Sequence, residues 1–394
     1  MNDPLLLTFN PGSSTIKFGL FRVADRMPIR IGSGNIDFHD VPLQLNLSNG
    51  GKAARFALSA PLTEDLHDVI DQTLNWFKAH FSFDDFTSVG HRVVHGGDRF
   101  TGPIAIDDQT LAAIEELVPL APLHQPQSVR LIRAIRTLRP HLRQSASFDT
   151  AFHQTQADLV RRFALPRHFF EAGIKRYGFH GLSYQFVASR LAHRFPALAN
   201  GKVVIAHLGS GASLCALDAG TSRDTSMGFS TLDGIPMATR CGALDAGVVL
   251  HLRARHRYSL ADVETLLYHE SGLLGVSGIS ADSRALLASA LPEAREALEL
   301  FAFRIAGEVA RLAASIGGLD ALVFTAGIGE HQPAIRSAVC KRLAWLGIRL
   351  DAQSNACHAC VISTAASRAA VLVIATDEEH IIAQEAVSVL HGEP

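Results

Sequence analysis

The sequence predicts an α/β protein made of two related domains, and three observations carry that reading. The 394 residues exceed the roughly 150 of a typical single domain. Apolar runs that end in glycine turns alternate with helical patterns along the whole chain. A strand, a Gly/Ser turn and a return strand occur once in each half, beginning at Leu5 and again at Lys202. Laid on each other, His207 falls on Asn10, Gly209 on Gly12 and Ser210 on Ser13. Two copies of one supersecondary unit read as two related domains, each offering a phosphate loop, against the alternative of two unrelated Gly/Ser hairpins.

Composition narrows the class. A hydrophobic content of 47% with 19% charged residues describes a chain able to bury large cores. The net charge of −2 gives no electrostatic reason to expect nucleic acid or an anionic membrane as partner. No basic segment precedes the first short apolar run, and no apolar stretch reaches the ~18 residues of a membrane span, so a cytoplasmic protein is expected. Five scattered cysteines, an odd number, suit reduced thiols. Cys357-His358-Ala359-Cys360 has the gap of a metal or redox pair, but it lacks a second pair and lies in a loop-like segment, residues 351–363.

The first hairpin pairs the apolar run ending at Phe9 with the alternating Ile16, Phe18 and Leu20. In the turn between them, Gly12 lets backbone N–H groups approach an anion, and Ser13, Ser14 and Thr15 offer hydroxyls to phosphate oxygens. Lys17 adds a positive charge. Residues 29–52 alternate like a strand meander, and residues 66–80 carry a helical pattern. Residues 88–97 form a buried strand that enters a glycine turn and holds His91, Arg92 and His95 among valines. A core strand seldom keeps a guanidinium without an anionic partner, so Arg92 is read as an anion ligand and the two histidines as structural.

His124 lies in a proline-bounded loop ahead of a helix over residues 127–138. Asp149 stands where a strand ends, the usual place of active groups in an α/β sheet, although an aspartate there can also cap a turn. His180, between Gly178 and Gly181 and ahead of a helix over 182–194, is placed to reach a ligand. The long Gly-rich stretch holding Asp224 and Thr239-Arg240-Cys241-Gly242 has the look of a functional loop, with Arg240 a second arginine for an anion. Asp282-Ser283-Arg284 precedes an amphipathic helix over 294–316 stopped by Gly317-Gly318. The strand 321–325 enters Ala326-Gly327-Ile328-Gly329-Glu330, and Pro333 opens a helix with Ile335, Val339 and Leu343 on one side. Glycines between a strand and a helix let a planar or phosphorylated ligand sit against the backbone. A last strand runs into Asp377-Glu378-Glu379, and a helix over 379–390 follows.

Two arginines, several histidines, acidic residues at strand ends and three Gly-rich loops suit phosphoryl transfer, in which catalysis is mostly positioning and charge neutralisation. Neither the G-x-x-x-x-G-K-[ST] loop nor the protein-kinase signature set is present, so the scaffold is a different one.

From Leu5 to about Ala386 the chain resembles the acetate kinase (acetokinase) family of the acetate and sugar kinase and actin superfamily. Phe9-Asn10-Pro11-Gly12-Ser13-Ser14-Thr15-Ile16-Lys17 is similar to the family's N-A-G-S-S-S-x-K opening, and Gly90 to Gly97 repeats G-H-R-V-V-H-G-G. Ala121-Pro122-Leu123-His124, Phe148-Asp149-Thr150-Ala151-Phe152-His153 and Tyr177-Gly178-Phe179-His180-Gly181 match as well. So do Asp224-Thr225-Ser226-Met227-Gly228-Phe229, Gly327-Ile328-Gly329-Glu330 and Glu378-Glu379.

The resemblance implies two duplicated actin-like (ribonuclease H-like) domains, mixed sheets flanked by helices, with the active-site cleft between them and a homodimer overall. It implies residues 1–152 plus 380–394 as an acyl and phosphate domain, and 153–379 as a nucleotide domain. The implied reaction is reversible transfer of the ATP γ-phosphate to acetate or another short carboxylate, with Mg²⁺, or Mn²⁺ in its place. Carried over, Asn10 and Glu378 hold the metal environment, Arg92 binds the carboxylate, and Val94, Leu123, His124 and Phe179 surround it. Asp149 is the active-site acid, and His180 and Arg240 stabilise the transferring phosphoryl group. Ser13, Thr15, Lys17, His207-Leu208-Gly209-Ser210-Gly211, Asp282-Ser283-Arg284 and Gly327-Ile328-Gly329-Glu330-His331 contact the nucleotide. Pairing Asn10 with Glu378 requires the first strand and the last helix to meet.

Departures from the pattern are Pro11 for Ala, Ser210 for the Asn of H-L-G-N-G and His331 for the Asn of G-I-G-E-N. Tyr184 stands for the second histidine of F-H-G-T-S-H, Ala243 for an Asp and Thr231 for a frequent Pro near the acyl pocket. Propionate or butyrate kinase is the alternative of the same chemistry. A non-catalytic ATP-switch module is the alternative of another class, and it has no need of Arg92, His180 and Arg240.

Overall fold

The opening apolar run folds as β1 (Leu5–Pro11), and every residue of it is buried, as a central strand flanked on both faces requires. It pairs antiparallel with β2 (Thr15–Ala24), Phe9 opposite Phe18 and Asn10 opposite Lys17. β3 (Met27–Asp37), β4 (Gln44–Asn49) and β5 (Lys52–Ala57) continue the antiparallel meander that the alternation predicts. On the other flank β6 (Phe86–Val93) and β8 (Arg143–Phe148) join in parallel, and β7 (Ile104–Ala105) closes the edge. The sheet order is β5-β4-β3-β2-β1-β6-β8-β7. The structure is a computed structural model that describes residues 3–12, 15–38, 40–49, 52–60, 66–80 and 86–390.

This sheet belongs to one of two units into which the chain divides, Met1–Phe152 with Asp377–Pro394; the other is His153–Thr376. Alternate side chains of β1 serve opposite faces. Leu5, Leu7 and Phe9 pack with Ile70, Leu74 and Phe77 of the helix His67–His80 and with Leu131 and Ile135 of the helix Gln125–Leu138. Leu6 packs on the other face with Ala383, Ala386 and Val387 of the helix Glu378–Leu390. Burial of this kind contributes about 1.5–3 kcal/mol per large apolar side chain. The helix Glu378–Leu390 also lies directly on β6, where a Cβ on Gly90 would stand 2.7 Å from Ile382 Cγ2 and 3.2 Å from Ala386 Cβ. Only glycine permits so close an approach. The first strand and the last helix do meet, and Asp377, Glu378 and Glu379 go with the first unit.

The second unit repeats the plan. β9 (Lys202–Leu208) and β10 (Ala212–Asp218) form the echoed hairpin, and β11 (Thr221–Thr225) extends it antiparallel. β12 (Ala321–Thr325) and β13 (Ala370–Val373) join β9 in parallel, giving the order β11-β10-β9-β12-β13. Strand for strand and direction for direction, this is β3-β2-β1-β6-β8 of the first sheet. The helix Pro292–Ser315 covers β9, β10 and β11 with Phe301, Ile305, Val309 and Leu312, all buried, and Gly317 at φ +70° ends its run.

Residues 351–363, read as loop, contain the helix Ala352–Ala356. Asp351 caps it by accepting from Ser354 N at 2.7 Å, a local bond that outweighs the weak helical pattern. All five cysteines are unpaired thiols. Among the described residues no helix is long and apolar enough to cross a membrane.

Candidate active site

In the first unit the parallel strands deliver charged groups to one end of the sheet. Arg92, near the end of β6, meets Asp149, which follows β8 directly. Arg92 donates through Nη2 to Asp149 Oδ2 at 2.6 Å and through Nε to Oδ1 at 3.0 Å, so the carboxylate takes one whole edge of the guanidinium. Asp149 is 1% exposed and Arg92 15%. Arg92 Nη1 donates to Asn10 Oδ1 at 3.0 Å, and Asn10 Nδ2 donates to Glu378 Oε2 at 2.7 Å and Glu379 Oε1 at 3.0 Å. Burial opposes the charged form of Arg92, but Asp149, Glu378 and Glu379 together raise its pKa above the usual value. Burial and the neighbouring Glu378 push Glu379 up, with Lys17 and the Asn10 hydrogen bond pulling the other way. Val94 is buried and Leu123 is 37% exposed, while His124 is the N-cap residue of the helix Gln125–Leu138. Thr15 closes the β1–β2 turn by accepting from Gly12 N at 2.7 Å, and Ser13 lies outside the described residues.

The two β6-region histidines are both buried. His91 is fully buried against Gln144 Oε1 at 2.7 Å, and desolvation lowers its pKa to about 4. His95 is lowered to about 4 by the same cause.

In the second unit the echoed hairpin is the centre. His180 precedes the helix Gly181–Arg194 in a left-handed conformation, φ +57°, and its ring stacks on His207 of β9 with centroids 4.3 Å apart. A Cβ placed on Gly211 would stand 3.3 Å from His180 Nε2 and 3.4 Å from Arg240 Nη2, so these two nitrogens converge on the space that the missing side chain leaves open. Arg240 is held by donation from Nη1 to Thr231 O at 2.9 Å. Its loop is pinned where Leu273 N donates to Met237 O at 2.8 Å and Met237 N to Arg240 O at 3.0 Å. Ser210, exposed, contributes its carbonyl, which accepts from Ala238 N. Phe179 is buried.

The Gly327–His331 segment falls in the helix Ala326–His331, entered through Ala326 at φ +64°. Glu330 turns inward: its Oε1 accepts from Ala326 N at 2.8 Å and Thr376 N at 3.1 Å. His331 is largely exposed. Asp282 caps the helix Ser283–Ala288 and pairs with the exposed Arg284 at 2.7 Å. Ser283 Oγ accepts from Gln332 Nε2 at 2.7 Å, which ties this segment to the end of the Gly327–His331 turn.

Sequence reasoning missed Arg336, which is fully buried. Its Nη1 donates to Gly329 O at 2.8 Å and Glu330 O at 2.9 Å, its Nε to Asn355 Oδ1 and its Nη2 to Asn355 O, both at 2.7 Å. His358 Nδ1 lies 2.9 Å from Glu330 O, so the Cys357–Cys360 turn serves this clasp. The signal was present, because Arg336 continues the stripe of Val339, Cys340 and Leu343 at helical spacing. Ser183 and Ser213, on the ring nitrogens of His207 and His180, were also missed.

Residues 5–384 match the model of the Acetokinase family. The chain belongs to the acetokinase family. Relatives of the same family include an acetate kinase of Rhodopseudomonas palustris, 46% identical over 392 residues covering 98% of each chain. Another is an acetate kinase of Methylocella silvestris, 42% identical over 394 residues, again covering 98% of each. Among solved acetokinase-like structures, a propionate kinase from Francisella tularensis is 33% identical with a TM-score of 0.91, over 98% of this chain and all of that one. The acetate kinase of Porphyromonas gingivalis is 33% identical with a TM-score of 0.87 at the same coverage.

Proposed function

We propose that this chain is an acetate kinase, transferring the ATP γ-phosphoryl group reversibly to acetate to give acetyl phosphate and ADP. Relatedness to acetate kinases over 98% of their length at 42% and 46% identity carries the reading. In the forward step a carboxylate oxygen bonds to phosphorus as the bond to the ADP oxygen breaks. Acetate is already ionised at neutral pH, so the step needs no strong base. The obstacle is repulsion between two anions.

Arg92 would bind the acetate carboxylate through its Nη groups, with Asp149 holding the guanidinium edge in place. His180 and Arg240 would donate to the transferring oxygens, and His207 to Gly211, Asp282 to Arg284 and Gly327 to His331 would take the nucleotide. Lys17 and Thr15 would add to the phosphate contacts.

Glu378 and Glu379 fit a Mg²⁺ environment: they are neighbouring oxygen donors, and Asn10, whose Oδ1 accepts from Arg92, holds both carboxylates through its Nδ2. Among the described residues no three His, Cys, Asp or Glu gather as a metal site. When bound, such an ion neutralises charge on the phosphates. A cytoplasmic setting suits the five thiols.

The partner would be a second copy, docked through the helices Ala246–Arg255 and Leu260–His269. The first helix has no buried residue, with Leu250 69% exposed, and the second starts at Leu260, 72% exposed. Arg253, Arg255 and Arg257 make one half basic, and Asp262, Glu264 and Glu270 make the other acidic. Opposite charges around a shared apolar seam are self-complementary across a twofold axis. Leu250→Asp with Leu260→Asp is expected to give a monomer by light scattering; a wild-type monomer or a dimeric variant would refute this.

The reaction is tested by trapping acyl phosphate with hydroxylamine from ATP, Mg²⁺ and acetate. Wild type is expected to form it and Arg240→Ala not. Similarity to a propionate kinase structure keeps that acid as the second reading, decided by relative kcat/KM for acetate, propionate and butyrate.

A further inference from the structure

His180 and His207 are stacked, and each rests its Nδ1 on a serine: His180 on Ser213 Oγ at 2.8 Å, His207 on Ser183 Oγ at 2.7 Å. Both Nε2 atoms face the Gly209–Gly211 turn, 3.8 Å from a Cβ placed on Gly209 for His207 and 3.3 Å from one on Gly211 for His180. The tautomer of each ring therefore decides whether an anion at this turn meets an N–H or a lone pair.

Ser213 has one proton and two neighbours, His180 Nδ1 at 2.8 Å and Tyr184 Oη at 2.5 Å. Where it donates to one it must accept from the other. A phenol is more acidic than an aliphatic alcohol, and its oxygen is a weaker acceptor because the ring draws on its lone pair. The favoured order is then Tyr184 O–H to Ser213, and Ser213 O–H to His180 Nδ1. Tyr184 is completely buried, with its ring edge-on to His153 and His207 at 5.7 and 6.4 Å, so it is held in the orientation this order needs. The reverse polarity would put the proton on Nδ1 and turn the Nε2 lone pair toward an incoming phosphate oxygen.

We propose that Tyr184 and Ser213 are positioning residues that hold neutral His180 as its Nε2–H tautomer, making it a hydrogen-bond donor to the transferring phosphoryl group. The inference rests on the kinase reading for the role of His180, but the hydrogen-bond order itself does not. Tyrosine at 184, where the family motif has histidine, gives this chain its own means of fixing the ring.

The test is a long-range proton–nitrogen NMR spectrum of ¹⁵N-histidine-labelled full-length protein without substrates, with His180 assigned by His180→Gln. Wild type should show Nε2–H at His180. Tyr184→Phe should introduce the Nδ1–H form and move the His180 titration to higher pH. It should also lower kcat about 3- to 10-fold, the worth of one hydrogen bond, with KM for ATP and acetate nearly unchanged. Tyr184→His should recover most of the rate. Should Tyr184→Phe not fold, Ser213→Ala must give the same tautomer shift. A wild-type Nδ1–H tautomer, or an unaltered spectrum in the folded variant, overturns the proposal. An inactive wild type with the Nε2–H tautomer would count against the kinase role alone.

Discussion

Asn10 accepts from Arg92 Nη1 at 3.0 Å and passes its own amide hydrogens to Glu378 and Glu379. One small side chain thus links Arg92 to the acidic pair. Glu378→Gln keeps the shape but removes a charge from the group assigned to Mg²⁺. The half-saturating Mg²⁺ concentration should rise by about 10-fold or more, read from the rate in a metal titration.

Gly211 has an ordinary backbone conformation, so alanine there brings no backbone strain, only a methyl group between His180 Nε2 and Arg240 Nη2. Gly211→Ala should lower kcat at least about 10-fold, as expected for lost charge stabilisation, and leave the Tm close to wild type. A rate within twofold of wild type would refute the convergence of these two donors on the transferred group.

Arg336 satisfies three backbone carbonyls and an amide oxygen with no carboxylate partner among its hydrogen bonds. Arg336→Met should strand these buried acceptors, cost about 3 kcal/mol or more in urea unfolding, and raise KM for ATP more than KM for acetate. Equal changes in the two KM values would argue against nucleotide binding at the Gly327–His331 turn.

Acid should destabilise the fold through its buried histidines. His91, His95 and His153 are all held near pKa 4, chiefly by desolvation, against 6.5 when exposed. Above pH 6.5 neither state binds the extra proton, so these groups contribute no slope. Between 6.5 and 4 only the unfolded chain takes protons up, and stability falls by up to about 3 kcal/mol per histidine. Unfolding free energy measured across that window should fall as the pH falls, and replacing all three histidines with glutamine should flatten the curve.

The strands and long helices were legible because apolar runs and helical stripes record burial directly, and the hairpin echo announced the repeated sheet. Arg92 was marked by the cost of a buried charge, and its partner Asp149 is the residue that offsets that cost. Ser183, Ser213 and Tyr184 carried no such mark. Their function comes from distances across 24 to 33 residues of chain set by sheet register and helix phase, which no local pattern encodes. The Cys357–Cys360 spacing is that of a metal or redox pair, a reading its missing second pair argued against, and the histidine inside it lies 2.9 Å from Glu330 O. Arg336 was overlooked because an arginine on an apolar stripe looks like an interruption.

Gly90 has a consequence for how the molecule is made. The strand it belongs to receives Ile382 and Ala386 from the helix Glu378–Leu390, so one face of the first sheet has no cover until residues 378–390 have been synthesised. The contiguous His153–Thr376 unit has all its strands in hand earlier. During synthesis the half that begins first should be the half that finishes last, and a nascent chain stalled at residue 376 should leave Leu6 and Phe21 open to chaperones.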